Sequence, residues 1–111
     1  MADYRLTAAA QNDFESIWRY TVERWGAEQA ELYADHLTNI LEKFARSPKT
    51  ASRCDAIRPG YRRGRAGLHM IYFRETDYGI AVIRILHHRM DAGRQLLATQ
   101  QMRSNAPDLH G

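Results

Sequence analysis

The sequence predicts an α+β protein in which an N-terminal strand and a helical hairpin pack on a three- to four-stranded antiparallel sheet, followed by a short C-terminal helix. Two apolar stripes with helical spacing, separated by one glycine, occupy residues 7–46. Three strand-like segments joined by tight turns follow within residues 57–91. A chain of 111 residues with 44% hydrophobic residues can form one core. We therefore expect residues 1–97 to form a single domain and residues 98–111 to form a flexible tail.

The first half of the chain carries the signals of one strand and two helices. Residues 3–6 are a strand candidate, and Thr7 is a suitable N-cap for a helix that runs to about Trp25. Gly26 ends that helix, and a second helix runs from residue 27 or 28 to about Arg46. So short a connection predicts an antiparallel hairpin whose apolar stripes both face the sheet. The stripes are Phe14, Ile17, Trp18, Thr21, Val22 and Trp25 in the first helix, and Ala30, Tyr33, Ala34, Leu37, Ile40, Leu41 and Phe44 in the second.

The second half predicts a three-stranded antiparallel meander. Its strands are expected at residues 61–65, 68–75 and 80–88, joined by two turns that each contain a glycine. Both faces of this sheet are apolar at their centres, whereas a single helical hairpin covers only one face. The second face therefore needs either the C-terminal segment, with a candidate helix at residues 90–97, or a partner protein.

Alternation along the last strand predicts where its side chains point. Val82 and Leu86 are expected on one face of the sheet and Ile83 on the other. The adjacent His87 and His88 likewise point to opposite faces, so they are not expected to share a metal ion. The sequence contains no glycine-rich phosphate loop, no paired zinc ligands and no nucleophile-elbow motif. We therefore expect no metal and no cofactor.

Charge is divided unevenly along the chain. Residues 1–50 contain six basic and eight acidic side chains, whereas residues 51–111 contain ten basic side chains, all arginine, and five acidic ones. A basic half of this kind attracts an anionic partner, either a nucleic acid or an acidic protein segment. Arginine in particular favours bidentate contacts to carboxylate or phosphate groups. The alternative is a solvated face that has no partner.

Other features of the sequence concern location. Cys54 is the only cysteine, which excludes an intrachain disulfide and favours an intracellular protein. The first residues lack the apolar core of a signal peptide, and no apolar run is long enough to span a bilayer. We expect a cytoplasmic protein without membrane association.

Six short segments carry a resemblance to a known family. They are LTAAA (6–10), IWRYT (17–21), RWG (24–26), IRPGYR (57–62), HMIYFR (69–74) and IRILHHRMD (83–91). In this order they resemble the ParE branch of the RelE/ParE toxin superfamily of bacterial type II toxin–antitoxin modules, over about residues 3–97. The resemblance implies a RelE/ParE-like fold and a toxin that poisons DNA gyrase without chemistry of its own. It also implies a bacterial cytoplasm and a ParD-like antitoxin with an acidic, amphipathic C-terminal segment, through which operator DNA would be bound only indirectly.

A ribonuclease is the alternative function. The RelE branch cleaves mRNA on the ribosome, and a histidine near arginine can act as general acid or base in phosphodiester cleavage. The residues for such a reaction would be Arg65, Arg84, His87 and His88. Against it, residues 87–91 resemble ParE and lack the aromatic acid–base residue typical of RelE. The simpler interpretation of the histidine pair is that one is packed and the other is solvated.

The arginine-rich sheet is the predicted partner-binding surface. Its apolar centre would anchor the apolar residues of an acidic amphipathic segment, and its arginines would pair with the carboxylates. For each arginine, the alternative is an intramolecular pair with an acidic residue such as Asp55, Glu75 or Asp77. The predicted partner-binding residues are Arg58, Tyr61, Arg62, Arg63, Arg65, Arg74, Arg84, His88 and Arg89.

Overall fold

The structure is a computed structural model, and it describes residues 2–90 and 92–96. The helices are α1 (Ala8–Trp25), α2 (Ala27–Arg46), a 3₁₀ helix (Pro48–Thr50) and, at residues 92–96, the short helix α3. The strands are β1 (Asp3–Leu6), β2 (Ser52–Arg53), β3 (Tyr61–Ala66), β4 (His69–Thr76) and β5 (Gly79–His87). The predicted tail at residues 98–111 lies outside the described residues. None of the described helices is long and apolar enough to cross a membrane.

Thr7 begins the helical hairpin as predicted. Its hydroxyl oxygen accepts a hydrogen bond from the Ala10 N–H (3.1 Å) and its hydroxyl donates to the Ile83 carbonyl (2.9 Å), so the cap also ties α1 to β5. Between the helices, Gly26 has a φ of 91° and donates its N–H to the Val22 carbonyl (2.9 Å). Glycine adopts this left-handed conformation without a steric penalty, which permits the direct reversal from α1 into α2.

The α+β class, the helical hairpin and the short C-terminal helix are confirmed, but the sheet is larger than predicted. It has five strands in the order β1-β5-β4-β3-β2. It is mixed, because β1 pairs with β5 in parallel while the other neighbours are antiparallel. The extra strand, β2, lies between the second helix and the predicted meander. This strand has only two residues, and both are exposed. Two residues are too few to form the alternating hydrophobic pattern by which a strand is recognised in a sequence.

A β-bulge interrupts the alternation of β5. Tyr72 pairs with Arg84, and the next residue of β4 pairs with Val82, so Ile83 is an extra residue on β5. Val82 belongs to the core beneath the helices, whereas Ile83 and Leu86 belong to the core on the opposite face. The prediction that Val82 and Leu86 share a face is therefore wrong, because the bulge shifts the alternation by one residue.

The two faces of the sheet carry separate cores. We call the side covered by α1 and α2 the helix face and the opposite side the second face. The buried residues of the helix-face core are Ala10, Leu37, Leu41, Phe44, Ala45, Ala51, Ala66, Ile71, Phe73, Ile80, Val82 and Ile85. Those of the second-face core are Cys54, Tyr61, Tyr72, Ile83, Leu86 and Leu96, with Ile57, Met70 and Ala92 packed against them. Of the two predicted covers for the second face, the structure therefore uses the C-terminal segment, together with the loop before β3.

Two tryptophans predicted in the buried stripe of α1 are exposed. Trp18 retains 36% and Trp25 retains 65% of its accessible surface. The contacts of α1 with the helix-face core come instead from Ala10, Phe14 and Ile17. Trp18 lies at the margin of this stripe, and Trp25 lies in the last turn, beyond the core contacts.

Candidate partner-binding surface and histidine cluster

β3 is the centre of the predicted partner-binding surface. Its burial alternates, and Tyr61 is packed in the second-face core while Arg63 and Arg65 are exposed. Residues two apart on a strand share a face, so both arginines project from the same side as Tyr61. Arg74 joins them, because it pairs with Tyr61 across the β3–β4 ladder. We call the surface formed by Arg58, Arg63, Arg65 and Arg74 the arginine face.

Two arginines of this face contact the aromatic residues of the second-face core. The guanidinium of Arg58 lies 6.0 Å from the centre of the Tyr61 ring, at the outer limit for a cation–π contact. Burial raises the pKa of the Tyr72 hydroxyl, and a hydrogen bond from the Arg63 side chain opposes that rise. The exposed guanidinium groups of Arg58 and Arg63 therefore lie next to the buried Tyr61 and Tyr72 side chains.

The acidic residue Asp55 is engaged by groups outside the arginine face. Asp55 lies near it, but its Oδ2 pairs with Arg53 (2.7 Å) and its Oδ1 accepts the Gly60 N–H (2.9 Å). The hydrogen bond from Gly60 and the charge of Arg53 lower the pKa of this carboxyl. Asp55 therefore offers little compensation to the rest of the face.

The predicted intramolecular pairs exist for Arg62 and Arg84. Arg62 contacts Glu75 (Nε to Oε2, 3.3 Å) and donates to the Ala51 carbonyl (3.0 Å). These contacts hold Arg62 on the helix-face side of β3, because Arg62 and Arg63 point in opposite directions. Arg65 donates from Nε to the carbonyl of the nearby turn, and Arg74 and Arg89 are exposed.

Arg84 forms a bidentate ion pair with α1. Its Nε and Nη2 donate to the two carboxylate oxygens of Asp13 at 2.7 and 2.8 Å, and Asp13 Oδ2 also accepts the Ile85 N–H at 2.9 Å. The two side chains retain only 16% and 14% of their accessible surface. The hydrogen bonds that Arg84 donates to Asp13 raise the pKa of Arg84. No local sequence pattern predicts this pair, since its partners lie 71 residues apart.

Three imidazoles meet at the end of the sheet. We call His69, His87 and His88 the histidine cluster. His69 pairs with His87 across β4 and β5 with ring centres 5.6 Å apart, and the rings of His87 and His88 stack at 4.6 Å. The prediction that His87 and His88 point to opposite faces is wrong, because β5 ends at His87 and the strand alternation ends with it. Among the described residues, no group of three or more histidine, cysteine or acidic side chains is arranged to hold a metal ion.

Tyr33 of α2 fixes the β3–β4 turn beside this cluster. Its hydroxyl accepts the Leu68 N–H (3.0 Å) and lies 2.6 Å from His69 Nδ1 and 3.2 Å from the Ala66 carbonyl oxygen. Gly67 has a φ of 58°, and a Cβ on it would lie only 2.7 Å from the Tyr33 ring. Neither Tyr33 nor His69 was predicted at the site. Its spacing places Tyr33 in the apolar stripe of the second helix, and that spacing does not indicate a role for its hydroxyl.

Burial and neighbouring charges lower the pKa of His69 and His88. Burial, with smaller effects of His87 and His88, lowers the pKa of His69 to about 4. Burial, followed by the charge of Arg65, lowers the pKa of His88. Of the four residues predicted for a ribonuclease, Arg65, His87 and His88 thus lie at this end of the sheet, whereas the guanidinium of Arg84 is bonded to Asp13.

Comparison with known proteins places this arrangement in a family. The family model for the ParE toxin of type II toxin–antitoxin systems (parDE) matches residues 4–92. The chain belongs to the ParE toxin family. The resemblance identified in the six sequence segments is therefore confirmed, and the protein is the toxin component of a type II toxin–antitoxin system.

Individual relatives cover most of the chain. Toxin ParE1 of Mycobacterium tuberculosis is 46% identical over 94 residues, spanning 84% of this chain and 96% of the relative. Toxin ParE1 of Caulobacter vibrioides is 38% identical over 96 residues, spanning 86% and 99%. The solved structure described as the chromosomal ParDE TA system from P. aeruginosa superposes with a TM-score of 0.67 over 78% of this chain and 96% of that one. At 19% identity, that structure supports the fold alone.

Proposed function

We propose that this toxin inhibits DNA gyrase by binding it, and that a ParD-like antitoxin neutralises it by placing an acidic segment on the arginine face. Membership of the ParE family is the observation that carries the proposal. In this proposal the toxin acts in the bacterial cytoplasm and has no catalytic chemistry of its own. Operator DNA is contacted only through the antitoxin.

The charge of the arginine face supports an acidic partner. Arg58, Arg63, Arg65 and Arg74 are all exposed, and the nearby carboxylate of Asp55 is engaged by Arg53. Carboxylates of a partner would form charge-assisted hydrogen bonds with these guanidinium groups. Exposed charges of this kind contribute mainly to the association rate and to specificity.

The apolar residues available to such a partner differ from those that the sequence predicts. The centre of the second face is filled by the chain's own residues, with Leu86 and Leu96 retaining 2% and 5% of their accessible surface. The exposed apolar residues near the arginine face are instead Leu68 (55%) and Met90 (43%). Both flank the end of β5, since Leu68 accepts the His88 N–H and Met90 donates to the His87 carbonyl. We assign the apolar anchors of an amphipathic segment to this pair.

The experiment compares two single charge reversals. Arg63→Glu changes the arginine face, and Arg19→Glu is the matched control on the exposed side of α1. We expect Arg63→Glu to weaken binding of the cognate antitoxin about tenfold or more, measured by calorimetry, because an attraction becomes a repulsion. Arg19→Glu should bind as the wild type does. Equal affinities for all three proteins would contradict the assignment of the antitoxin to the arginine face.

A further inference from the structure

The strand β1 forms one edge of the sheet. Its parallel ladder with β5 runs from Asp3 opposite Gly79 to Leu6 opposite Val82. β1 is the first strand in the sheet order, and among the described residues no strand pairs with its other side. An unpaired edge presents a row of backbone N–H and C=O groups that can pair with another strand. This edge of the sheet is therefore open in the described part of the chain.

The backbone groups on the open side belong to Tyr4 and Leu6. Asp3 donates its N–H to the Tyr78 carbonyl (2.6 Å), so its backbone faces the side of β5. Residues two apart on a strand direct their backbone groups to the same neighbour, so Arg5 also faces β5 and the alternate residues face outward. The Tyr4 N–H is covered by Asp3 Oδ1 (2.8 Å). That cover is an exposed side chain, which can leave without disturbing the pairing of β1 with β5.

The side chains of β1 are complementary to a second copy of the same strand. Asp3 and Arg5 are exposed and share the second face, whereas Tyr4 and Leu6 pack against the helix-face core. In an antiparallel pair centred on Tyr4, the two Tyr4 residues exchange both of their backbone hydrogen bonds. Asp3 of each copy then lies opposite Arg5 of the other, at the closer spacing of a non-hydrogen-bonded pair. One strand thus supplies both members of two symmetric ion pairs.

Arg5 and Asp3 have no charged partner of their own that would compete with this contact. Neither belongs to an ion pair among the described residues. The guanidinium of Arg5 lies 4.0 Å from the centre of the Tyr78 ring, a cation–π contact that holds it over the second face. Because the guanidinium is planar, stacking on the ring leaves its N–H groups available to a carboxylate.

We propose that this protein self-associates through antiparallel pairing of β1 with β1 of a second copy, in the register centred on Tyr4. The pairing joins two five-stranded sheets about a two-fold axis, the commonest symmetry of protein dimers. The Asp3 carboxylate exchanges the Tyr4 N–H of its own chain for the Arg5 guanidinium of the other. β5 and β4 separate β1 from β3, so the arginine face stays free in the dimer. The inference is therefore independent of the binding of antitoxin and gyrase.

A charge swap tests this register in the whole chain by sedimentation equilibrium. An interface between four-residue strands is small, so we expect a weak dimer that forms as the concentration is raised to about 1 mM. Asp3→Arg and Arg5→Asp each place like charges opposite one another, and each should weaken dimerisation about tenfold or more. The double variant Asp3→Arg/Arg5→Asp restores opposite charges in the same register and should recover the wild-type dissociation constant.

Arg63→Glu is the matched control, since it reverses a charge on the arginine face and should leave dimerisation unchanged. In the wild type, the amides of Tyr4 and Leu6 should exchange about tenfold more slowly with deuterium at concentrations where the dimer forms, because they become hydrogen-bonded.

Three results would overturn the pairing of β1. The first is a wild-type chain that stays monomeric throughout the concentration range. The second is a dimer that both single variants leave unchanged or that the double variant does not recover. The third is a dimer in which the exchange of the Tyr4 and Leu6 amides is unaffected. Circular dichroism and the melting temperature establish that the variants are folded. If Arg5→Asp fails to fold, Asp3→Arg, which keeps the contact of Arg5 with Tyr78, and the exchange of the wild-type amides decide.

Discussion

The helix face and the second face of the sheet are covered by segments of very different length. On the helix face lie α1 and α2, with 18 and 20 residues, and a core of twelve buried residues. On the second face lie a loop around Cys54 and the short helix α3, with a core in which six of the described residues are buried. The helix face is thus a self-sufficient core, whereas the second face joins a small core to an exposed, arginine-rich surface. The difference indicates that stability depends mainly on the helix face, and in the proposed function partner binding depends on the second face.

Truncation of buried side chains should show most clearly that the two cores contribute differently to the free energy of unfolding. Phe73→Ala removes a side chain with 0% exposure that stacks on Phe44, with ring centres 5.2 Å apart. We expect it to lower the free energy of unfolding by about 3–5 kcal/mol, through lost burial and a residual cavity. Leu96→Ala on α3 should cost less, about 2 kcal/mol, because this short helix can shift to fill the space. Urea unfolding measures both, and a larger loss for Leu96→Ala would reverse the proposed ranking of the faces.

Loss of the ion pair that joins α1 to β5 should cause the next largest decrease in the free energy of unfolding. Asp13→Ala leaves the Arg84 guanidinium and the Ile85 N–H without the acceptor they share. We expect a loss of about 2–3 kcal/mol in the free energy of unfolding, because a largely buried charge loses its counter-ion. Glu15→Ala, two residues away and exposed, is the matched control and should change stability little. A loss for Asp13→Ala no larger than that of the control would show that the pair contributes nothing.

Removal of the Tyr33 hydroxyl should lower the free energy of unfolding by a smaller amount. Tyr33→Phe keeps the ring against Gly67 but removes the acceptor for the Leu68 N–H and the contact with His69 Nδ1. The expected loss is about 1–2 kcal/mol, typical of a partly buried hydrogen bond that is not replaced. Tyr20→Phe, on an exposed ring of α1, is the control. A melting temperature unchanged by Tyr33→Phe would mean that water replaces these contacts fully.

The pH dependence of stability should reveal the state of His69. Because its pKa is about 4 in the folded protein and near 6.5 in the unfolded chain, the unfolded chain takes up this proton first as the pH falls. The contribution of neutral His69 is thus fully present above pH 6.5, and is lost progressively between about pH 6.5 and 4. We expect His69→Gln to lose less stability than the wild type between pH 7 and 4.5, measured by urea unfolding. Parallel pH profiles would contradict the lowered pKa.

Local patterns predicted the elements more successfully than the contacts between them. The helical hairpin followed from a period of 3.6 residues and from Gly26, and the cap at Thr7 followed from its hydroxyl. The bulge at Ile83 could not be predicted, because it depends on how β4 and β5 pair in register. The stacking of His87 on His88 depends in turn on where β5 ends.

The candidate site was only partly accessible to sequence reasoning for the same reason. An arginine-rich surface follows from composition, and Arg63 and Arg65 are exposed in the structure. Whether a given arginine forms an intramolecular ion pair depends on residues distant in sequence, as the pairing of Arg84 with Asp13 demonstrates. The cover of the second face by Leu96 likewise depends on the path of the chain after β5.

Supercoiling of relaxed plasmid by purified gyrase is the most direct test of the central claim. We predict that the wild-type toxin inhibits supercoiling, that the cognate antitoxin relieves the inhibition, and that Arg63→Glu toxin remains inhibitory at an antitoxin concentration that neutralises the wild type. That last result would separate the surface that binds the antitoxin from the activity of the toxin. Unchanged supercoiling at saturating wild-type toxin, confirmed folded by circular dichroism, would contradict the account.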